Sequence, residues 1–459
     1  MRPPTRPGLA CRNPGRLGAA GPTLFLLCAG MLFGQPLTPH TLIERLCDDF
    51  GPRLTGSAAN AAAMDRLAVE LHALGYAPEK VSFTAPGWKR GDDYVELVAP
   101  FARRLRVTSL GFTRPHPKFE AELVDIGNGG PADYPTADVR GQVGLLASGT
   151  PLQTSEIVAG AVVRGLRGML FVNREGGGQL LARTGSFSGA PLPLPIYSIA
   201  QEEGRWLARL LARSTPVRVR METKSHCETI ETANLILRLP GRVASRLIVG
   251  AHFDSWDLGQ GAIDNGIGIA QLYALALALR GTALHHTIEL IWFNGEEQGM
   301  QGSRAAAARL GDTPVVAMVN LDMVGVPIGV NALGDDSLVP ILERWQAARG
   351  EARRLPKGVE NINWLASDHT PYQLAGVRTI TFNGPIPRES VRHYHDFADT
   401  IDKVSPQLID DSAAIICDLV RTLAQDESLA AWRRAPEETE KLFTRFGLEK
   451  RMRAIGLWP

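Results

Sequence analysis

Two histidines and four acids stand out by position: His252, the adjacent pair Glu296 and Glu297, and Asp322 each close a short apolar run, while Asp264 and His395 lie in loops. The runs are Leu247 to Gly250, Ile288 to Phe293 and Val315 to Leu321. Imidazole and carboxylate are ligands that Zn2+ accepts. A two-metal hydrolase needs about five of them, one carboxylate being shared between ions ~3.5–4 Å apart. Asp264 belongs to the segment HFDSWDLGQGAIDNG, whose glycines let the chain fold tightly and bring that acid back towards His252. Asp254 follows His252 by two residues, so in extended geometry the two share a face. Its carboxylate is expected to accept the second imidazole N–H. The adjacent glutamates can divide the work: Glu297 as a ligand is locked ionised, and Glu296, free of metal, can move a proton from water to a leaving amine. His395, in HYHDFADT, comes from a loop after the run Thr379 to Phe382.

Each of these residues also has a bland reading. A lone histidine after a strand is usually structural, and paired acids commonly begin a helix. The glutamates here follow the buried-looking run IELIWFN, which favours chemistry. His285 and His286 read as a connecting loop. His393, two residues from His395, is the weaker ligand candidate. Asp368 and His369 are expected to line the pocket, and Trp256 and Asp257 to sit in it or at its rim. Asp399 either orients the His395 loop or caps a helix.

The apolar runs are short and suit strands buried on both faces of a largely parallel sheet, where ligands bind beyond the carboxyl ends of the strands. Helices are expected across Pro39 to Gly75, interrupted at Gly51 and Pro52, and at Ile267 to Leu279, Ser303 to Leu310 and 407–424. From about Arg104 to Lys224 the texture changes to short β runs, Gly- and Pro-rich loops and two helices. That pattern predicts a small β-rich module inserted in a larger domain.

The chain has 459 residues, 44% of them hydrophobic, enough for more than one domain. Its 49 basic and 48 acidic residues form no basic block, so nothing points to a nucleic-acid partner. Arg2, Arg6, Arg12 and Arg16 precede the apolar run Leu24 to Phe33, which reads as a secretory signal. The expectation is a secreted or periplasmic protein with no membrane span in its mature chain. Cys47, Cys227 and Cys417 are then left, too few and too far apart for a disulfide framework or zinc cluster, and read as free thiols.

Together the segments GPRLTGS (Gly51 to Ser57), HFDSWDLGQGAIDNG, EEQG, NLDMVG, SDH (Ser367 to His369) and HDFADT resemble the co-catalytic zinc exopeptidases, most closely the carboxypeptidase Q branch. The resemblance implies an α/β zinc-exopeptidase fold, with a central, mostly parallel mixed sheet flanked by helices and an inserted protease-associated domain. The expected division is a signal peptide at 1–34, peptidase domain at 35–104 and 229–425, insert at 105–228, and charged tail at 426–459. Carried onto this chain, the family pattern places one zinc on His252, Asp264 and Asp322, and a second on Asp264, Glu297 and His395. Glu296 becomes general base. The implied activity is hydrolysis of short peptides near a free terminus, by a homodimer. Asn294-Gly295 and Tyr394 look more like the generic aminopeptidases of the family. Two other readings are a receptor-like homologue without catalysis and a single-zinc glutaminyl cyclase. The complete ligand set argues against the first, and the paired ligands and insert against the second.

Overall fold

Strand residues alternate between two apolar layers, which is how the main sheet is buried on both sides. In the strand Val243–His252, Leu247, Val249 and Ala251 face one core, and Ile248 faces the other. Leu290 and Trp292 against Ile291 and Phe293, and Ala317 and Val319 against Met318, repeat the pattern in the neighbouring strands. A computed structural model describes residues 36–458. The expected signal segment lies outside the described residues.

The main sheet has eight strands in the order Glu79–Lys89, His226–Leu239, His286–Phe293, Val243–His252, Val315–Asn320, Thr379–Asn383, Gly329–Asn331 and Val359–Glu360. Val243–His252 runs parallel to both neighbours, and Val315–Asn320 runs parallel to Thr379–Asn383. The first two strands of the order pair antiparallel, so the sheet is mixed with a parallel centre. Helices Pro39–Phe50, Ala58–Ala73, Ile267–Ala278 and Pro406–Gln425 cover one face. Gln301–Ala308 and His369–Leu374 lie on the other. This is the expected α/β sandwich, with three parallel strands ending side by side at His252, Phe293 and Asn320.

A second eight-stranded sheet is built from strands between Tyr94 and Thr223 and has its own core. The change in composition near Arg104 misses Tyr94–Ala99, which pairs with Arg218–Thr223 in this second sheet. Composition marks the loops, whereas an alternating strand such as YVELVA fits either sheet. Both chain crossings between the sheets meet at Asp93, whose Oδ1 accepts the amides of Lys224 and Ser225 at 2.6 and 2.8 Å. The charged tail forms the helices Pro436–Arg445 and Glu449–Ala454, and its Phe443 and Met452 are buried against Met300 and Leu365. Cys47, Cys227 and Cys417 are free thiols. No helix among the described residues is long and apolar enough to cross a membrane.

Candidate metal centre

The parallel strand ends deliver the site. His252 is the last residue of its strand, Glu296 and Glu297 lie in the loop after Phe293, and Asp322 follows Asn320 by two residues. Asp264 arrives on the turn before Ile267–Ala278, and His395 on the loop after Val391. These six side chains, scattered over 144 positions of sequence from His252 to His395, therefore meet at one edge of the sheet.

Two overlapping groups result. His252, Asp264 and Asp322 form one, and Asp264, Glu297 and His395 the other; within each, one donor atom per residue lies within 4.8 Å of the others. Asp264 is shared: its Oδ1 lies 2.9 Å from His252 Nε2, and its Oδ2 lies 2.9 Å from His395 Nε2. Glu297 Oε2 is 3.0 Å from His395 Nε2, and Asp322 Oδ1 is 3.5 Å from His252 Nε2. Glu296 belongs to neither group, yet it lines the same cavity as His252, Asp264, Asp322 and His395.

The donors fit a metal better than they fit one another. Despite these short separations, His395 Nε2, Asp264 Oδ1 and Glu297 Oε1 are buried without a hydrogen-bond partner. Buried polar atoms are rarely left so, and each such atom costs about 1–3 kcal/mol. Imidazole nitrogen and carboxylate oxygen, converging and unsatisfied, are the donor set Zn2+ takes.

The charges in the cage are mutually adjusted. Burial alone would push His395 down, but the Glu297 and Asp264 carboxylates outweigh it and hold it up at about 10. His252 is likewise held well above its ordinary value by Asp254, Asp264 and Asp322 against the effect of burial. Burial pushes Glu297 up to about 7 and lifts Glu296 well above the usual carboxylate range, with Asp322, Asp368 and Glu297 adding to the latter. Opposed by burial, His252 and His395 nevertheless hold Asp264 down.

Asp254 has a different job from the one expected. His252 Nδ1 bonds the backbone carbonyl of Asp254 at 3.0 Å, and the Asp254 carboxylate is 3.7 Å away, too far for that bond. The carboxylate turns instead to the acid pair. Its Oδ1 accepts the Glu296 amide at 3.1 Å, and its Oδ2 accepts the Glu297 amide at 3.2 Å and the Thr55 hydroxyl at 2.9 Å. Asp254 is fully buried and acts as a clamp on the glutamate loop.

Asp399 does the same for the shared acid. Its carboxylate accepts the amides of Ile263 and Asp264 at 2.7 and 3.1 Å, and its side chain caps no helix. His395 has a left-handed backbone, φ +58°, and is fixed by a hydrogen bond from the Ala182 backbone N–H to its carbonyl at 3.0 Å. The rings of Tyr394 and Trp256 pack against its imidazole, with centroids 3.6 and 6.1 Å away. His393 stays outside the cage and meets Gln179 at 2.7 Å. Asp257 is tied at the rim by Arg90 through two contacts of 2.8 Å. Asp368 is buried with both oxygens unpartnered, and His369 Nε2 bonds the Trp364 carbonyl at 2.9 Å. His286 begins a strand and is buried, rather than lying in a loop.

The role of Arg53 in GPRLTGS is not legible in the sequence. Fully buried, its guanidinium donates to the carbonyls of Phe253, Gln260 and Gly261 at 2.9, 2.6 and 2.9 Å. It thereby closes the long turn between His252 and Asp264. Thr55 in the same motif also bonds Asn294 Oδ1 at 3.2 Å.

Residues 234–420, which hold all six side chains, match Peptidase family M28. The chain carries a peptidase family M28 domain. Aminopeptidase YwaD of Bacillus subtilis (strain 168) is 25% identical over 397 residues, covering 82% of each chain. Leucine aminopeptidase 2 of Trichophyton rubrum is 28% identical over 290 residues, 62% of this chain; the match spans only 57% of that protein's length. Among solved structures, an M28 peptidase precursor from Shewanella amazonensis SB2B aligns with a TM-score of 0.75 at 20% identity, over 86% of this chain and 95% of its own. BSAP, a zinc aminopeptidase from Bacillus subtilis, aligns with a TM-score of 0.69 at 21% identity, over 85% and 95%. The fold shared with these structures thus extends over most of the chain.

Proposed function

We infer that this chain is a zinc metallopeptidase of the aminopeptidase type and that it works with two ions, hydrolysing a peptide bond near a free terminus of a short peptide. One observation carries the reading: two donor triads share Asp264, buried atoms of Asp264, Glu297 and His395 lack a hydrogen-bond partner, and Glu296 stands beside them unused by either. His252, Asp264 and Asp322 would hold one ion, and Asp264, Glu297 and His395 the other. Zinc held there supplies Lewis acidity, polarising a scissile carbonyl and lowering the pKa of water.

The chain's own residues do the rest. Glu296 accepts a proton from water and returns it to the leaving amine, a task suited to a carboxyl raised above its ordinary range. Asp254 fixes the Glu296 and Glu297 amides, so proton carrier and ligand keep a set separation. Asp399 holds the backbone of Asp264, and Ser367 donates to Asp322 Oδ2 at 2.5 Å, so both acids are oriented from outside the cage.

The test is Glu296→Gln, assayed with unblocked dipeptides and aminoacyl amides. The expected result is unchanged zinc content with turnover reduced by about 100-fold or more. Near-normal turnover removes Glu296 as the proton carrier, and loss of zinc from this variant moves it into the ligand set.

A further inference from the structure

The cavity above the cage has a volume of about 700 Å3, and its far wall comes from the second sheet. The lining there is basic: Arg174 and Arg183 from that wall, with Arg388 and Arg392 from the segment before His395, face a single acid, Glu175. Three of the four arginines have partners. Arg174 and Arg388 lie 3.8 and 3.6 Å from Glu175, and Arg392 donates to the Gly176 carbonyl at 3.1 Å.

Arg183 differs. Its guanidinium makes no ion pair and no hydrogen bond to any described residue, and it lies 5.1 Å from the centre of the Phe171 ring, which lines the same cavity. Burial lowers its pKa, against a smaller opposing effect of Tyr394. Its position is also fixed. The amides of Leu180 and Ala182 bond Asp396 Oδ2 at 2.7 Å and the His395 carbonyl at 3.0 Å, stitching this segment to the loop that carries His395. A guanidinium with neither ion pair nor hydrogen bond has its planar fork free, and that fork matches one ligand chemistry best, a carboxylate gripped by two parallel bonds.

We propose that Arg183 binds the free terminal carboxylate of the peptide and so selects short peptides with an unblocked C-terminus. The proposal rests on the peptidase reading and deepens it. The cage takes the scissile bond, the basic wall takes the terminal carboxylate, and the limited cavity between them sets the length of the leaving portion. Arg183 is then a specificity residue contributed by the second sheet to a centre built on the first. Sequence reasoning overlooked it because nothing in LLARTGS marks an arginine whose counter-ion is the substrate.

The experiment compares kcat/KM for leucyl-alanine, leucyl-alanine amide and leucyl-glutamate amide on zinc-loaded protein. Wild type is expected to favour leucyl-alanine over its amide by about 100-fold, the scale for removing one partner of a buried charge pair. Arg183→Ala should lose that factor on leucyl-alanine, keep its rate on the amide and keep its zinc. Arg183→Lys should recover part of the preference, a point charge replacing the fork. Equal wild-type rates on acid and amide overturn the proposal, as does an equal loss on both substrates in Arg183→Ala or Arg183→Lys. Leucyl-glutamate amide cleaved as fast as leucyl-alanine overturns the assignment to the terminal carboxylate, because a side chain then serves as well. Absence of hydrolysis of all three by zinc-loaded wild type sinks the peptidase reading itself, a distinct outcome.

Discussion

Replacing Asp254 by asparagine removes one acceptor oxygen from a carboxylate that holds three donors: the amides of Glu296 and Glu297 and the hydroxyl of Thr55. Asparagine keeps one oxygen and points an N–H2 group at whatever the other oxygen bound. One charge-assisted bond, worth about 1.5–3 kcal/mol, is lost, and a donor then faces a donor in a fully buried place. The expected sum is about 2–4 kcal/mol. It falls on the glutamate loop rather than on the apolar cores, so the loop shifts while the protein stays folded. Expressed wholly in the transition state, that is roughly 30- to 700-fold in kcat at ~1.4 kcal/mol per tenfold. Displacement of Glu297 should also weaken zinc binding by about 10- to 100-fold, the usual cost of losing a group that orients a ligand. The assay is kcat at saturating zinc together with a zinc titration of the metal-free variant. A kcat within threefold of wild type, with unchanged zinc affinity, would refute the clamp.

Three further outcomes follow from the same geometry. Below neutral pH, zinc affinity should fall as pH falls. The neighbouring carboxylates raise His395 to about 10 and His252 well above its ordinary value, and burial raises Glu297 to about 7, so zinc must displace protons that acid supplies. Calorimetry in buffers of different ionisation heat should show proton release on zinc binding near pH 7, and proton uptake would contradict these directions. Glu296 acts only when ionised, so with zinc saturating, kcat/KM should drop on the acid side; a flat acid limb would count against it. Arg53→Lys should cost about 2–4 kcal/mol in thermal or urea unfolding, because one ammonium cannot span the three carbonyls its guanidinium serves. Unchanged stability would show that the turn between His252 and Asp264 holds itself.

Much of the site was legible because strand periodicity and motif spacing record where a strand stops. The runs before His252, Glu296 and Asp322 each ended within two residues of where the strand does, and topology then brought the three loops together. Hydrogen-bond direction was not legible. Two-residue spacing placed Asp254 beside His252, but the chain leaves the strand there, so the carbonyl takes the imidazole and the carboxylate swings to the glutamates. Asp399 left two roles open for the same reason: sequence shows an acid before Thr400 but not that the amides of Ile263 and Asp264 point at it. The partners of Arg53 lie about 200 residues away and are backbone atoms, which carry no mark in the sequence at all.

The central claim is that His252, Asp264, Glu297, Asp322 and His395 hold a pair of zinc ions across Asp264. Anomalous X-ray scattering at the zinc edge from crystals of the zinc-loaded protein tests it directly. Two peaks about 3.5–4 Å apart are predicted, one enclosed by His252, Asp264 and Asp322 and the other by Asp264, Glu297 and His395. A single peak, or zinc bound away from Asp264, would contradict it.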